Sequence, residues 1–95
     1  MSWDYRLEAV ALRELRDLGP SVSAEIVAWL DQRVRGASDP RVFGKPLRGR
    51  RKGYWRYRVR DWRLLCRIED KVLVVIVVAV GHRSTVYDGR ISANA

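Results

Sequence analysis

The chain has 95 residues and a mass of 11.0 kDa, which makes room for one small domain, residues 1–95, and no second. Apolar residues make up 47% and charged residues 32%, with a formal net charge of +8, so the chain can bury a core and is not composed like a disordered one. The single cysteine, Cys66, excludes an internal disulfide framework and a cysteine-rich zinc site. The longest apolar run, Val72 to Val80, falls far short of the roughly 20 residues that span a bilayer. The opening MSWDYRLEAV has neither the basic nor the apolar region of a signal peptide. These features predict a soluble, cytosolic, basic domain with no membrane contact.

In chain order, Trp3, Tyr5 and Leu7 alternate with polar residues and predict a short first strand. A helix is expected from about Glu8, with Ala11, Leu12, Leu15 and Leu18 on one stripe, ending at Gly19-Pro20. A second helix is expected from Ser21 as N-cap to Gly36, lining up Val22, Ile26, Trp29, Leu30 and Val34. The Gly-Pro break makes the two an antiparallel hairpin. Residues 37–53 read as a long connection, too polar and broken to be regular throughout.

The period then changes to two. In residues 54–59, Tyr54, Arg56 and Arg58 share one face, and Trp55, Tyr57 and Val59 the other. In residues 63–68, Leu64, Cys66 and Ile68 form an apolar face opposite Arg63, Leu65 and Arg67. Glu69-Asp70-Lys71 reads as a hairpin turn, and Val72 to Val80 as a central strand buried on both sides and closed by Gly81. The expected fold is α+β with the order β-α-α-β-β-β, a two-helix hairpin covering one face of a mainly antiparallel sheet. The other face, rich in arginine, is left free.

Charge is localised. Residues 1–40 carry a net −2 and residues 68–95 none, whereas residues 41–67 hold eleven Lys/Arg against the one acid Asp61. Arginines interleaved with Tyr54, Trp55, Tyr57 and Trp62 suit a polyanion with exposed bases, since guanidinium grips phosphate and rings stack. An acidic protein segment satisfies the same charge. Lys45, Arg48, Arg50, Arg51, Lys52 and Arg60 are expected as general phosphate contacts. No phosphate loop, metal-spaced His/carboxylate cluster or paired-carboxylate motif is present, so neither a metal nor another cofactor is expected. Arg, Lys, Tyr and the lone His82 still suffice for RNA cleavage, because RNA supplies its own 2′-hydroxyl nucleophile.

Leu47-Arg48-Gly49, then Gly53-Tyr54-Trp55-Arg56-Tyr57-Arg58, then Trp62-Arg63, then Gly81-His82-Arg83-Ser84-Thr85-Val86-Tyr87 resemble, in order and spacing, the RelE branch of the RelE/ParE toxin superfamily. The resemblance implies the toxin of a type II toxin–antitoxin module, cleaving mRNA in the ribosomal A site without a metal. It also implies an acidic antitoxin as partner and operator DNA reached only through that antitoxin. By motif position, Arg56 and Arg58 grip the backbone, Arg63 stabilises the transition state and Arg83 sits near the leaving oxygen. Tyr87 stacks on a base and is the proposed general base.

The second-strand basic positions are lysines in the best-known members and arginines here. Arginine does not deprotonate in proteins, so the base falls to Tyr87, with His82 as second choice. The eight residues after Tyr87 read as a flexible tail in place of the C-terminal helix some members carry. The resemblance also allows a non-enzymatic ParE-like inhibitor of DNA gyrase, or an inactive member that binds only antitoxin and operator.

Overall fold

The structure, a computed structural model, describes residues 2–82. Its elements are β1 (Asp4–Leu7), α1 (Ala9–Asp17), α2 (Pro20–Arg33), β2 (Gly44–Pro46), β3 (Trp55–Val59), β4 (Trp62–Glu69) and β5 (Val74–His82), with short 3-10 turns at Pro40–Phe43 and Gly49–Arg51. They form one five-stranded sheet in the order β1-β5-β4-β3-β2. Only the β1–β5 pair is parallel. The expected α+β architecture is present, with one strand more than expected.

That strand, β2, lies inside the segment read as a connection and pairs with β3 through Gly44↔Tyr57, Lys45↔Arg56 and Pro46↔Trp55. A three-residue strand ending in proline belongs at a sheet edge, where the missing N–H is not needed. Gly44 is required there: a Cβ would stand 2.3 Å from the Arg56 carbonyl oxygen and 2.6 Å from the Tyr57 ring.

The helix hairpin turns at Gly19, whose φ of 93° no other residue adopts cheaply, and Pro20 opens α2. Ser21 is therefore not the cap. Proline's preset φ and missing donor suit the first helical position, and this moves the cap two residues earlier, to Gly19. α2 stops at Arg33, before Gly36, whose N–H donates to the Trp3 carbonyl at 2.7 Å.

Ala11 and Leu15 of α1, and Ile26 and Leu30 of α2 with Val34 just after it, pack on Tyr57, Val59, Leu64, Cys66, Val75, Val77 and Val80. Leu12 was expected on this stripe and is exposed. It lies about 100° around the helix from Ala11, beyond the face that meets the sheet. Cys66 is fully buried, and burial pushes its thiol up, as befits a small apolar core residue.

The last strand also differs from expectation. Val72 is exposed in a turn that runs through Leu73 (φ 55°), and β5 begins at Val74 and continues through Gly81 to His82. The turn is held from outside by Arg41, which donates to both Asp70 carboxylate oxygens at 2.8 and 2.7 Å. Opposite Leu65 and Cys66 the register slips: Leu65 faces Ala79, and Cys66 faces Val77. Val78 is thus an extra residue, a β-bulge, and the two sides of β5 exchange faces at this point.

Candidate functional site

Antiparallel partners share a face, so the register defines what lies on the side away from the helices. One row across the sheet holds Arg58, Arg63 and Gly81, and the next holds Lys45, Arg56, Leu65 and Ala79. Beneath the second row, Leu65 and Ala79 form a small apolar floor covered by Leu47, Tyr54 and Val78. Two like-charged cross-strand pairs, Lys45–Arg56 and Arg58–Arg63, stand side by side. Such pairs cost a sheet stability, and over an apolar floor they create a strong anion-binding field.

The three arginines are held differently. Arg58 is exposed and Arg56 half-buried. Arg63 is only 6% exposed, and its Nη1 donates to the carbonyls of Arg60 at 2.7 Å and Trp62 at 3.0 Å. One end of its guanidinium thereby locks the β3–β4 turn, where Arg60 takes a left-handed φ of 56°. Arg60 itself pairs with Glu25 of α2, on the helix side. The structure separates it from the other expected phosphate contacts.

Those contacts sit on an arch between β2 and β3, closed at its base by the Leu47 N–H donating to the Tyr54 carbonyl at 3.0 Å. Gly49 and Gly53 both take left-handed φ values, 66° and 98°, and bend the arch. Arg48, Arg50 and Lys52 are exposed on it and Arg51 is half-buried, while Lys45 is exposed on β2. Other cations of the basic segment are structural: Arg41 clamps Asp70, and Arg67 reaches Glu8 at 3.1 Å and Glu69 at 3.8 Å.

His82 is not brought to the arginine rows. It pairs with Trp62 across the sheet, the two rings meeting edge to face at 5.6 Å on the helix side. Trp62 itself packs against the main core. Arg83, Tyr87 and the expected tail after it lie outside the described residues. Among the described residues, no group of three or more His, Cys, Asp or Glu side chains is placed to hold a metal ion, and no helix is long and apolar enough to cross a membrane.

Sequence reasoning missed the edge of the site. Val42, Phe43 and Gly44, together with Lys45, Arg56 and Arg58, line a groove of about 190 Å³. An aromatic residue directly before a glycine was the available signal, masked by reading the segment as a connection.

The family model described as ParE toxin of type II toxin–antitoxin system, parDE, matches residues 5–87. This chain is a RelE-like toxin of the RelE/ParE superfamily. Toxin RelG of Mycobacterium tuberculosis (strain ATCC 25618 / H37Rv) is 32% identical over 87 residues, 92% of this chain and 98% of that protein. The RelBE2 toxin–antitoxin complex of M. tuberculosis contains a chain that superposes with a TM-score of 0.77 at 32% identity, covering 88% of this chain and 94% of that one. A double mutant of Escherichia coli RelE in the free state matches with a TM-score of 0.71 at 27% identity, covering 98% of each chain. The RelE-like toxin described here therefore belongs to a type II toxin–antitoxin system.

Proposed function

We propose that this RelE-like toxin is a metal-independent, ribosome-dependent mRNA endonuclease that cuts in the A site and so stops translation. The observation that carries the reading is the shared face of Arg56, Arg58 and Arg63, with Arg58 and Arg63 directly opposite one another. In-line attack of a 2′-oxygen on the adjacent phosphorus forms the 2′,3′-cyclic phosphate and breaks the bond to the 5′-oxygen. Charge accumulates on the non-bridging oxygens, where fixed guanidinium donors stabilise it. Arg56 and Arg58 hold the backbone, Arg63 stabilises the transition state, and to Arg83 falls the charge on the leaving oxygen.

Neither arginine of β3 serves as a base, because guanidinium stays protonated. Tyr87 takes the 2′-hydroxyl proton. The placement of His82 against Trp62, on the opposite side of the sheet from Arg56, supports Tyr87 over His82. No cofactor is needed. The arch cations Arg48, Arg50, Arg51 and Lys52, with Lys45, hold RNA phosphates, and the protein acts in the cytoplasm with the ribosome. An acidic antitoxin is the natural neutralising partner for so basic a face, and operator DNA is reached through it.

The family model's ParE description favours a second reading, a non-enzymatic inhibitor of DNA gyrase. One assay separates them: purified toxin is added to programmed ribosomes in EDTA, and mRNA ends are mapped by primer extension. The nuclease reading expects A-site cuts that Tyr87→Ala abolishes. Intact mRNA from a protein that still arrests growth transfers the function to gyrase.

A further inference from the structure

We propose that Phe43 is a base-stacking platform for single-stranded RNA, seating a nucleotide that flanks the scissile phosphate. This rests on the RNA-cleaving reading and extends its site beyond the arginine rows. Phe43 is 38% exposed and Val42 69%, an apolar lip on the rim of a groove otherwise lined by Gly44, Lys45, Arg56 and Arg58.

The lip is held rigidly. The Tyr57 hydroxyl donates to the Pro40 carbonyl at 2.8 Å, Arg41 is clamped to Asp70, and the Arg41 N–H donates to Asp39 Oδ1 at 3.1 Å. Trp29 meets the Phe43 ring edge to face at 6.5 Å, and Gly44 lies flat on β3 with no room for a Cβ. A folding chain gains little from fixing a half-exposed phenyl ring among cations. A strand of RNA gains both halves of what it needs, a ring for a base and ammonium or guanidinium for the phosphates on either side. Arg56 and Arg58 belong to both the groove and the proposed catalytic row, so an RNA strand gripped there continues into the groove. An acidic peptide satisfies the cations but leaves the ring without a stacking partner.

The test uses the full chain and a fluorescein-labelled 2′-O-methyl RNA heptamer, which binds but lacks the attacking hydroxyl. Binding is followed by anisotropy at low salt. Phe43→Ala is expected to weaken binding about tenfold, Phe43→Trp to restore it and Phe43→Leu to fail, with thermal midpoints of all four proteins alike. Independently of any variant, a heptamer with one abasic position is expected to bind the unaltered protein about tenfold more weakly. Phe43→Ala should then cost nothing further with that oligonucleotide.

Equal binding of every abasic heptamer overturns the platform, as does failure of the unaltered protein to bind the heptamer. A Phe43→Ala protein that loses an acidic peptide but keeps RNA also overturns it and makes the groove a protein dock. Phe43-dependent binding by a protein that leaves ribosomal mRNA uncut removes the nuclease and keeps the platform. Cutting that is indifferent to Phe43 does the reverse.

Discussion

Strands β3 and β4 present two sides built on opposite terms. Toward the helices, Tyr57, Leu64 and Cys66 have no exposed surface, and each is held by volume and, for Tyr57, by one hydrogen bond. Away from the helices, the same strands present Arg56, Arg58 and Arg63, with like charges opposite one another and only Leu65 and Ala79 as apolar floor. Packing explains the first side completely. It does not explain the second, which gives up stability to concentrate positive charge. The division between scaffold and site therefore runs along the plane of the sheet, and neighbouring residues in the chain fall on different sides of it.

The sharpest way to break this division is to exchange the effects of its two sides. Tyr57→Ala should cost about 3–5 kcal/mol of stability, read from urea denaturation, because it empties the centre of the core. Arg58→Ala should leave the urea midpoint unchanged or slightly raised, because it relieves a like-charge pair, while lowering A-site cleavage about 100-fold, the usual weight of one preorganised charge-stabilising donor. A stable Tyr57→Ala protein, or an unfolded Arg58→Ala one, defeats the comparison.

Smaller changes sharpen it at the edge. Gly44→Ala should destabilise by about 1–3 kcal/mol, since the added methyl must push β2 away from β3. RNA binding should fall with it, because Lys45 moves too; amide exchange at the Arg56 N–H, which faces β2, would report the loosened edge. The acid limb of stability tests the outer clamp. The hydrogen bond from Arg41 holds the Asp70 carboxyl below its usual range, so its contribution is present above the unfolded value near about 3.9 and is lost as pH falls through the folded value. Asp70→Asn should flatten that loss between neutral and acid pH in urea titrations, with only a small effect at neutrality for so exposed a pair. The smallest effect belongs to the arch: Arg50→Ala or Lys52→Ala should each reduce the log–log salt slope of RNA binding by about 0.7.

Much of this was legible in the chain. Period-two alternation in residues 54–68 identified β3 and β4 and assigned Tyr57, Val59, Leu64 and Cys66 to the core, because an amphipathic sheet writes its two sides directly into the order of residues. The Gly19-Pro20 break identified the helix hairpin, and the bounds of its second helix were misplaced, the cap at Ser21 and the end at Gly36. β2 was not legible, since Gly-Lys-Pro has no periodicity and is a strand only because β3 offers it a partner. The start of β5 was misplaced because Val72 and Leu73 are as apolar as the strand that follows. Their turn bends at Leu73, which takes a left-handed φ of 55°, and is braced by Arg41 on Asp70.

The concentration of cations in residues 41–67, the aromatic interleaving and the motif order that marks a RelE-like toxin belong to the sequence alone. Which of those cations share a site was decided by the tertiary structure. Arg60 and Arg67 are drawn away by Glu25 and Glu8, residues distant in the chain, while Lys45 is carried to Arg56 by an edge strand. The clearest case is His82. Counting by twos from Val77 puts it on the arginine side; the bulge at Val78 inserts one unpaired residue, and every side chain beyond it changes face. A uniformly apolar run carries no record of such an insertion. Only pairing with β4, whose own alternation is fixed by the core, settles on which side of the sheet the histidine stands.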